Sequence, residues 1–268
     1  MIAVTDLPAY LFCPRKLYFK KVLHITEKPK EKTLRGTIVH RVFELSGKED
    51  QDIVRSFTEK NTLEEIEMRY RHIYSNVLLT SILYNKEALR DQGVDARILY
   101  QELWPFFLEE AKAKSKALFS QAHEKKMFGD ALWNELPKSS PEIKIVSEKL
   151  GMTGVIDRLE EGYIPVEIKT GKPPREDVWK EHRIQLGAYM LLLKEHLEKD
   201  VTYGFIEYSL VNERRKVIMN PFLKDEILAL IGNVRQLLQQ PTLPEKIKEE
   251  WKCTQCGIRE ECFNADKN

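Results

Sequence analysis

Apolar residues along the chain change their period once, and that change divides it. From about Asp50 to Leu136 they recur at helical spacing in a background rich in Glu, Lys, Leu and Ala. Beyond Glu142 they gather into short Val- and Ile-rich runs, Glu142–Glu148, Val155–Glu160 and Ile164–Thr170, bounded by Gly or Pro, which predicts strands. Glu161-Gly162-Tyr163 reads as the tip of a hairpin between the second and third runs. Pro137-Lys138-Ser139-Ser140-Pro141 marks the break between the two patterns, and Lys172-Pro173-Pro174 closes the sheet segment. A helix is predicted over Asp177–Leu197, with Leu186, Met190 and Leu193 as its apolar face. Strands follow over Val201–Leu210 and Arg214–Met219, then a helix over Leu223–Gln239.

At the N-terminus, Thr5 or Asp6 caps a short helix over residues 5–20 that carries Leu7, Leu11 and Phe12. A second helix runs from Thr33 to Ser46 on the stripe Leu34, Ile38, Val42 and Leu45, and Gly47 is expected to end it. The order of elements predicts an α/β or α+β core with a helical insertion. The expected segments are 1–47 (N-terminal helices), 48–140 (insertion), 141–240 (core) and 241–268 (cysteine-rich tail).

Composition narrows the class. With 268 residues, 42% apolar and 32% charged, the chain can bury a sizeable core and is neither a disordered tail nor a membrane span. The N-terminal Met1–Asp6 lacks the pattern of a signal peptide, so a cytoplasmic location is expected. Net charge is +1 and says nothing for or against nucleic acid. The first forty residues are locally basic (Arg15, Lys16, Lys20, Lys21, Lys28, Lys30, Lys32 and Arg35 against Asp6, Glu27 and Glu31), which suits either a phosphate-contacting patch or an ordinary solvated surface.

The chemistry concentrates in Gly154-Val155-Ile156-Asp157-Arg158 and Pro165-Val166-Glu167-Ile168-Lys169-Thr170-Gly171. Residues two apart on a strand share a face, so Glu167 and Lys169 point one way and Val166 and Ile168 point into the core. A hairpin turning at Gly162 sets Asp157 opposite Glu167, gathering two carboxylates and an amine. Two hard oxygen ligands suit Mg²⁺ or Mn²⁺, and Lys169 could then position a water or meet developing charge. The competing reading is a salt bridge on an exposed sheet face. His40, flanked by Ile38, Val39 and Val42, lies close to the core of the second helix, with Glu44 one turn on. Gln185 and Tyr189 share a face at i, i+4 of the later helix, which an amphipathic pattern leaves unexplained.

Cys253-Thr254-Gln255-Cys256, then Cys262, is dense ligand spacing in a polar tail, and Cys13 is the remaining cysteine. Such a set points to metal rather than disulfides in a reducing compartment. Four thiolates suit Zn²⁺ or an iron–sulfur cluster, and their number does not separate the two. With Cys13 as fourth ligand, the metal would tie the chain's two ends and act structurally.

Taken in order, Phe12-Cys13-Pro14-Arg15, Gly36…His40, Gly154-Val155-Ile156-Asp157, Val166-Glu167-Ile168-Lys169, Gln185…Tyr189 and Cys-x₂-Cys-x₅-Cys resemble the CRISPR-associated, RecB-like exonuclease family with an iron–sulfur cluster. That family sits within the restriction-endonuclease-like PD-(D/E)XK superfamily. The resemblance covers about residues 1–47 and 142–265. It implies a restriction-endonuclease-like core with a mixed sheet flanked by helices, a helical insertion and a metal-bound tail. It further implies Mn²⁺- or Mg²⁺-dependent exonuclease activity on single-stranded DNA, and trimming of DNA for CRISPR spacer acquisition alongside the integrase proteins. By the same match His40, Asp157, Glu167 and the Ile168 carbonyl bind the metal and Lys169 is the catalytic lysine. Gln185 and Tyr189 support the site or touch DNA, while Cys13, Cys253, Cys256 and Cys262 hold a [4Fe–4S] cluster. The segment 48–140 is longer than in compact family members, and nuclease domains attached to helicases carry the same motifs. A helicase-associated repair nuclease, a catalytically silent DNA-binding assembly subunit, and a zinc-tail protein with incidental carboxylates are the competing readings.

Overall fold

The computed structural model describes residues 1–136 and 139–266. In chain order its elements are β1 (Ile2–Ala3), α1 (Asp6–Phe12), α2 (Pro14–Lys21), α3 (Glu31–Arg55), α4 (Leu63–Tyr84), α5 (Lys86–Asp91), α6 (Ala96–Lys125), α7 (Gly129–Glu135), β2 (Ser139–Ser147), β3 (Met152–Glu160), β4 (Ile164–Lys169), α8 (Lys180–Leu197), β5 (Tyr203–Tyr208), β6 (Glu213–Ile218), α9 (Pro221–Gln239), α10 (Glu250–Thr254) and α11 (Arg259–Asn264). Of the predicted break, Pro137 and Lys138 lie outside the described residues, and β2 begins directly after them.

The first predicted helix is two. Cys13 is extended at φ −164° because Pro14, first residue of α2, bars the helical region to its predecessor. Gly47 does not end the second helix, which continues as α3 to Arg55. A mid-helix glycine costs roughly 1 kcal/mol. Burial of Ile53 and Val54 in the last turn returns about 1.5–3 kcal/mol apiece, so packing wins.

The chain divides into two compact units: Met1–Lys28 with Ile143–Leu159 and the chain from Tyr163 on, and Pro29–Glu142 with Glu160–Gly162. The division falls at Lys28 rather than at 47, where α3 is unbroken. The helical unit packs α4 against α3 and α6 around Tyr74, Leu78, Ile82, Leu99 and Phe107. Thr62 and Glu65 form a reciprocal capping box that starts α4, and Asp95 caps α6.

The other unit carries a six-stranded sheet in the order β1-β3-β4-β5-β6, with β2 also paired to β3. It is mixed: β1 runs parallel to β3 and β4 parallel to β5, while β5 and β6 are antiparallel. Strand β1 was invisible to periodicity because two residues cannot show an alternation. Its Ala3 N–H donates to Asp6 Oδ2 at 2.8 Å, and Asp6 also pairs with Lys21 at 2.8 Å. The parallel pair β4–β5 needs a crossover, and α8 supplies it, packing on both strands with α1 and α9 against its other sides. Hence α8 is buried without interruption from Ile184 to Leu193, rather than being apolar on one face only.

Candidate functional site

Strand β4 lies between neighbours on both sides and is covered on both faces, with Val166 at 0%, Ile168 at 2% and Glu167 at 3% exposure. A salt bridge on an exposed sheet face is therefore excluded: Glu167 is as buried as the aliphatic residues beside it. In register with β5, Glu167 stands beside Ile206 and Lys169 beside Tyr208. Both face α8. Lys169 Nζ donates to Glu167 Oε1 and to Gln185 Oε1, each at 2.8 Å. Gln185 Nε2 donates to the same Glu167 oxygen at 2.6 Å and reaches Tyr189 Oη at 3.3 Å. The i, i+4 pair on α8 is thus a cradle for the carboxylate and the lysine of β4.

Asp157 comes from β3, which is joined to β4 through the turn at Glu161 and Gly162. Both of these residues have positive φ (51° and 75°), the latter at no steric cost because it is glycine. Asp157 Oδ2 accepts the Ile168 N–H at 2.7 Å, so its carboxylate lies against the backbone of the residue between Glu167 and Lys169. Also on β3, Gly154 makes room for Tyr189, since a Cβ there would stand 2.6 Å from the tyrosine ring and 2.9 Å from Val4. Burial raises the Tyr189 hydroxyl well above its ordinary range, with the Glu167 charge adding to it, so Tyr189 stays neutral. Asp157, Glu167, Lys169, Gln185 and Tyr189 are therefore gathered in one unit. His40 lies on α3 in the other unit, half-buried, and Glu44 one turn on pairs with Lys48.

One neighbour was not foreseen. His182 lies three residues before Gln185 on α8, and Tyr208 Oη is 3.1 Å from its Nδ1. Burial and the Lys169 charge push its pKa down to about 4, so the ring is neutral at pH 7. Helical spacing from Gln185 was the signal that could have found it.

Chemically, a buried carboxylate needs compensation, which the Lys169 ammonium supplies in part. Two carboxylates against one ammonium leave a net negative charge and hard oxygen donors, the donor set that Mg²⁺ or Mn²⁺ takes. Among the described residues no three His, Cys, Asp or Glu side chains are closed together as a ready metal-holding group.

The four cysteines form no disulfide, and all of them line one small cavity of about 20 Å³ with Phe12, Lys16, Lys252, Ile258 and Arg259. Burial raises the Cys13 thiol, and Cys256 and Cys262 beside it add to the shift. Four thiols around an apolar pocket edged by cations match a centre whose thiolate ligands carry excess negative charge. Half of the basic N-terminal stretch is committed to ion pairs or buried, while Lys20, Lys28, Lys30 and Lys32 are exposed. Lys16 pairs with Glu27 at 2.5 Å, Lys21 with Asp6, and Arg35 with Glu31 and Glu102, while Arg15 is buried. No described helix is long and apolar enough to cross a membrane.

Comparison with known proteins agrees with this geometry. The profile of the PD-(D/E)XK nuclease superfamily matches residues 1–263. The CRISPR-associated exonuclease Cas4 of Rhodospirillum rubrum is 32% identical over 127 residues, 46% of this chain and 38% of that protein. A CRISPR-associated exonuclease Cas4/endonuclease Cas1 fusion from Myxococcus xanthus is 28% identical over 133 residues, 47% of this chain and 23% of the fusion. The human DNA replication ATP-dependent helicase/nuclease DNA2 is 31% identical over 140 residues, 43% of this chain and 13% of the human protein. The matches thus span well under half the length of each of these relatives.

Proposed function

The chain belongs to the PD-(D/E)XK nuclease superfamily, and from that premise we propose that it is a Mn²⁺- or Mg²⁺-dependent DNA exonuclease acting on single-stranded DNA or single-stranded ends. The observation that carries this reading is the buried Glu167, bonded through one oxygen to Lys169 and Gln185, with Asp157 laid against the adjacent Ile168 amide. Exonuclease activity is named for the Cas4 relatives, and the single-strand preference comes with the family resemblance.

In this proposal Asp157 and Glu167, with the Ile168 carbonyl added by resemblance, would hold the divalent ion. When bound, that ion polarises the scissile phosphate and lowers the pKa of a water. Lys169, fixed by two acceptors, is oriented to hold the attacking water or to meet charge developing on the phosphate. Gln185 bonds to both the ammonium and the carboxylate and so fixes their direct pair, and neutral Tyr189 fills the wall behind them. Cys13, Cys253, Cys256 and Cys262 would hold a [4Fe–4S] cluster of structural role.

Cas4/Cas1 fusion relatives support a place in CRISPR spacer acquisition beside an integrase. The DNA2 relative favours a second reading, a repair nuclease working with a helicase. Both rest on the same chemistry. The test is an assay on end-labelled single strands and duplexes with Mn²⁺ or Mg²⁺, using protein purified without oxygen. Metal-dependent shortening of single strands, strongly reduced in Asp157→Asn and Lys169→Ala, is expected. DNA binding without turnover in the wild type would overturn the enzyme and leave a silent binding subunit.

A further inference from the structure

The cysteine cavity is bordered by a charged side chain buried almost completely. Arg15, at 4% exposure, spends each of its three nitrogens on the C-terminal tail. Its Nε donates to Cys262 Sγ at 3.1 Å, Nη1 to the Pro244 carbonyl at 2.7 Å, and Nη2 to the Cys262 carbonyl at 3.0 Å and to Asp266. A guanidinium does not shed its proton, so burying it is tolerable only with its donors satisfied. Here the acceptors are a ligand sulfur, that residue's own carbonyl, and two points bracketing it in sequence.

We infer that Arg15 is a positioning residue for the cluster: it fixes Cys262 through the backbone and donates an N–H directly to its sulfur. This rests on the iron–sulfur reading of the four cysteines given above. Position follows from the tail's composition, because Ile258 is the one large apolar side chain buried among its described residues. Packing alone therefore cannot hold Cys262 in place. The tail is fastened from the N-terminal segment instead, by Arg15 and by Glu27, whose Oε2 accepts the N–H of Gly257, next to Cys256, at 2.8 Å.

The sulfur contact does more than hold. An N–H pointed at a ligating thiolate draws charge from it and favours the reduced, more negative cluster, which raises the reduction potential. Lysine cannot substitute: a point charge on a flexible stem cannot reach one sulfur and two carbonyls together. A clamp without electronic effect would move retention of the cluster but not its potential, so the two contributions separate experimentally.

The test compares wild type, Arg15→Lys, Arg15→Gln and Asp266→Asn, purified without oxygen. Iron and acid-labile sulfide, visible charge-transfer absorption, midpoint potential and survival in air are measured. Arg15→Lys and Arg15→Gln are expected to retain the cluster about 10–100-fold less well, the loss typical of removing a ligand's supporting contact. The cluster that remains should titrate at a lower potential. Asp266→Asn keeps the sulfur contact and should leave the potential where it was. Wild-type iron content, lifetime and potential in both Arg15 variants would overturn the inference while the cluster reading stood. If wild type instead holds zinc and no iron, the cluster reading itself fails. Amide exchange over residues 256–264 then decides Arg15's role: faster in both Arg15 variants supports positioning of Cys262, and unchanged exchange overturns it.

Discussion

The carboxylate–lysine centre and the cysteine cavity sit in the same unit and are built in opposite ways. Glu167, Gln185 and Tyr189 are held by regular elements, a doubly covered strand and a helix buried from Ile184 to Leu193. The cysteines come from a helix N-cap, two short terminal helices and the connection between them. All are half-buried, and polar contacts from Arg15 and Glu27 gather the tail. The first centre is preorganised by the core and, on the proposed function, would need an ion only for chemistry. The second joins segments far apart in the chain, and a metal held there, as proposed, would supply much of its order.

The sharpest way to break the comparison is to remove charge from the first centre without disturbing its frame. Asp157→Asn retains an oxygen to accept the Ile168 N–H and loses the carboxylate. Turnover should fall by about 10²–10³-fold, the cost of losing one preorganised electrostatic contact, with the melting temperature unchanged. A metal-dependent nuclease assay beside a thermal melt checks both halves. Wild-type turnover would remove Asp157 from the site.

Next in size is loss of the second centre. Cys262→Ser should abolish cluster binding, and hydrogen exchange should quicken over residues 244–264 and over α1 and α2. Exchange in β3, β4 and α8 should stay as in wild type. Quickening throughout the sheet would show that the two centres are one cooperative structure and that the contrast is false.

Gly154→Ala sharpens the first half. The added Cβ would meet the Tyr189 ring at 2.6 Å and Val4, in the turn between β1 and α1, at 2.9 Å, and both side chains are buried. Overpacking of this kind costs about 1–3 kcal/mol, read as a lower denaturation midpoint. Because Tyr189 backs Gln185, the variant should also weaken metal binding, measurable by calorimetric titration. An unaltered midpoint would show that the wall can shift.

How much of this was legible in the sequence follows the same divide. Glu167 and Lys169 could be placed on one face because strand alternation is strict, and Gln185 and Tyr189 because i, i+4 spacing is. Periodicity of single elements did not show that β4 would be covered on both faces, since that depends on α8 crossing between β4 and β5. The break at Cys13 was written in Pro14, whose effect on its predecessor outweighs the helical pattern of residues 5–20. Gly47 misled because burial of Ile53 and Val54 further along overrides a local breaker. Arg15 looked like part of a basic surface. Its acceptors lie more than two hundred residues away, and nothing local announces them.

The smallest effect concerns pH and belongs to His182. Its pKa stands at about 4 in the folded protein against an ordinary value of 6.5, because burial and the Lys169 charge both oppose protonation. Between those values the unfolded chain binds a proton that the folded chain does not. Stability should therefore be full above pH 6.5, decline as pH falls toward 4, and level off in this contribution below it. His182→Gln retains a polar partner for Tyr208 and cannot charge, so its stability should be flatter across the same window. Denaturant unfolding at half-unit pH steps checks this, and carboxylates cannot mimic the result because both proteins keep them. If the two curves run parallel from pH 6.5 down to 4, His182 is protonated as easily in the fold as outside it. Neither the burial of the ring nor the Lys169 charge beside it would then oppose its protonation.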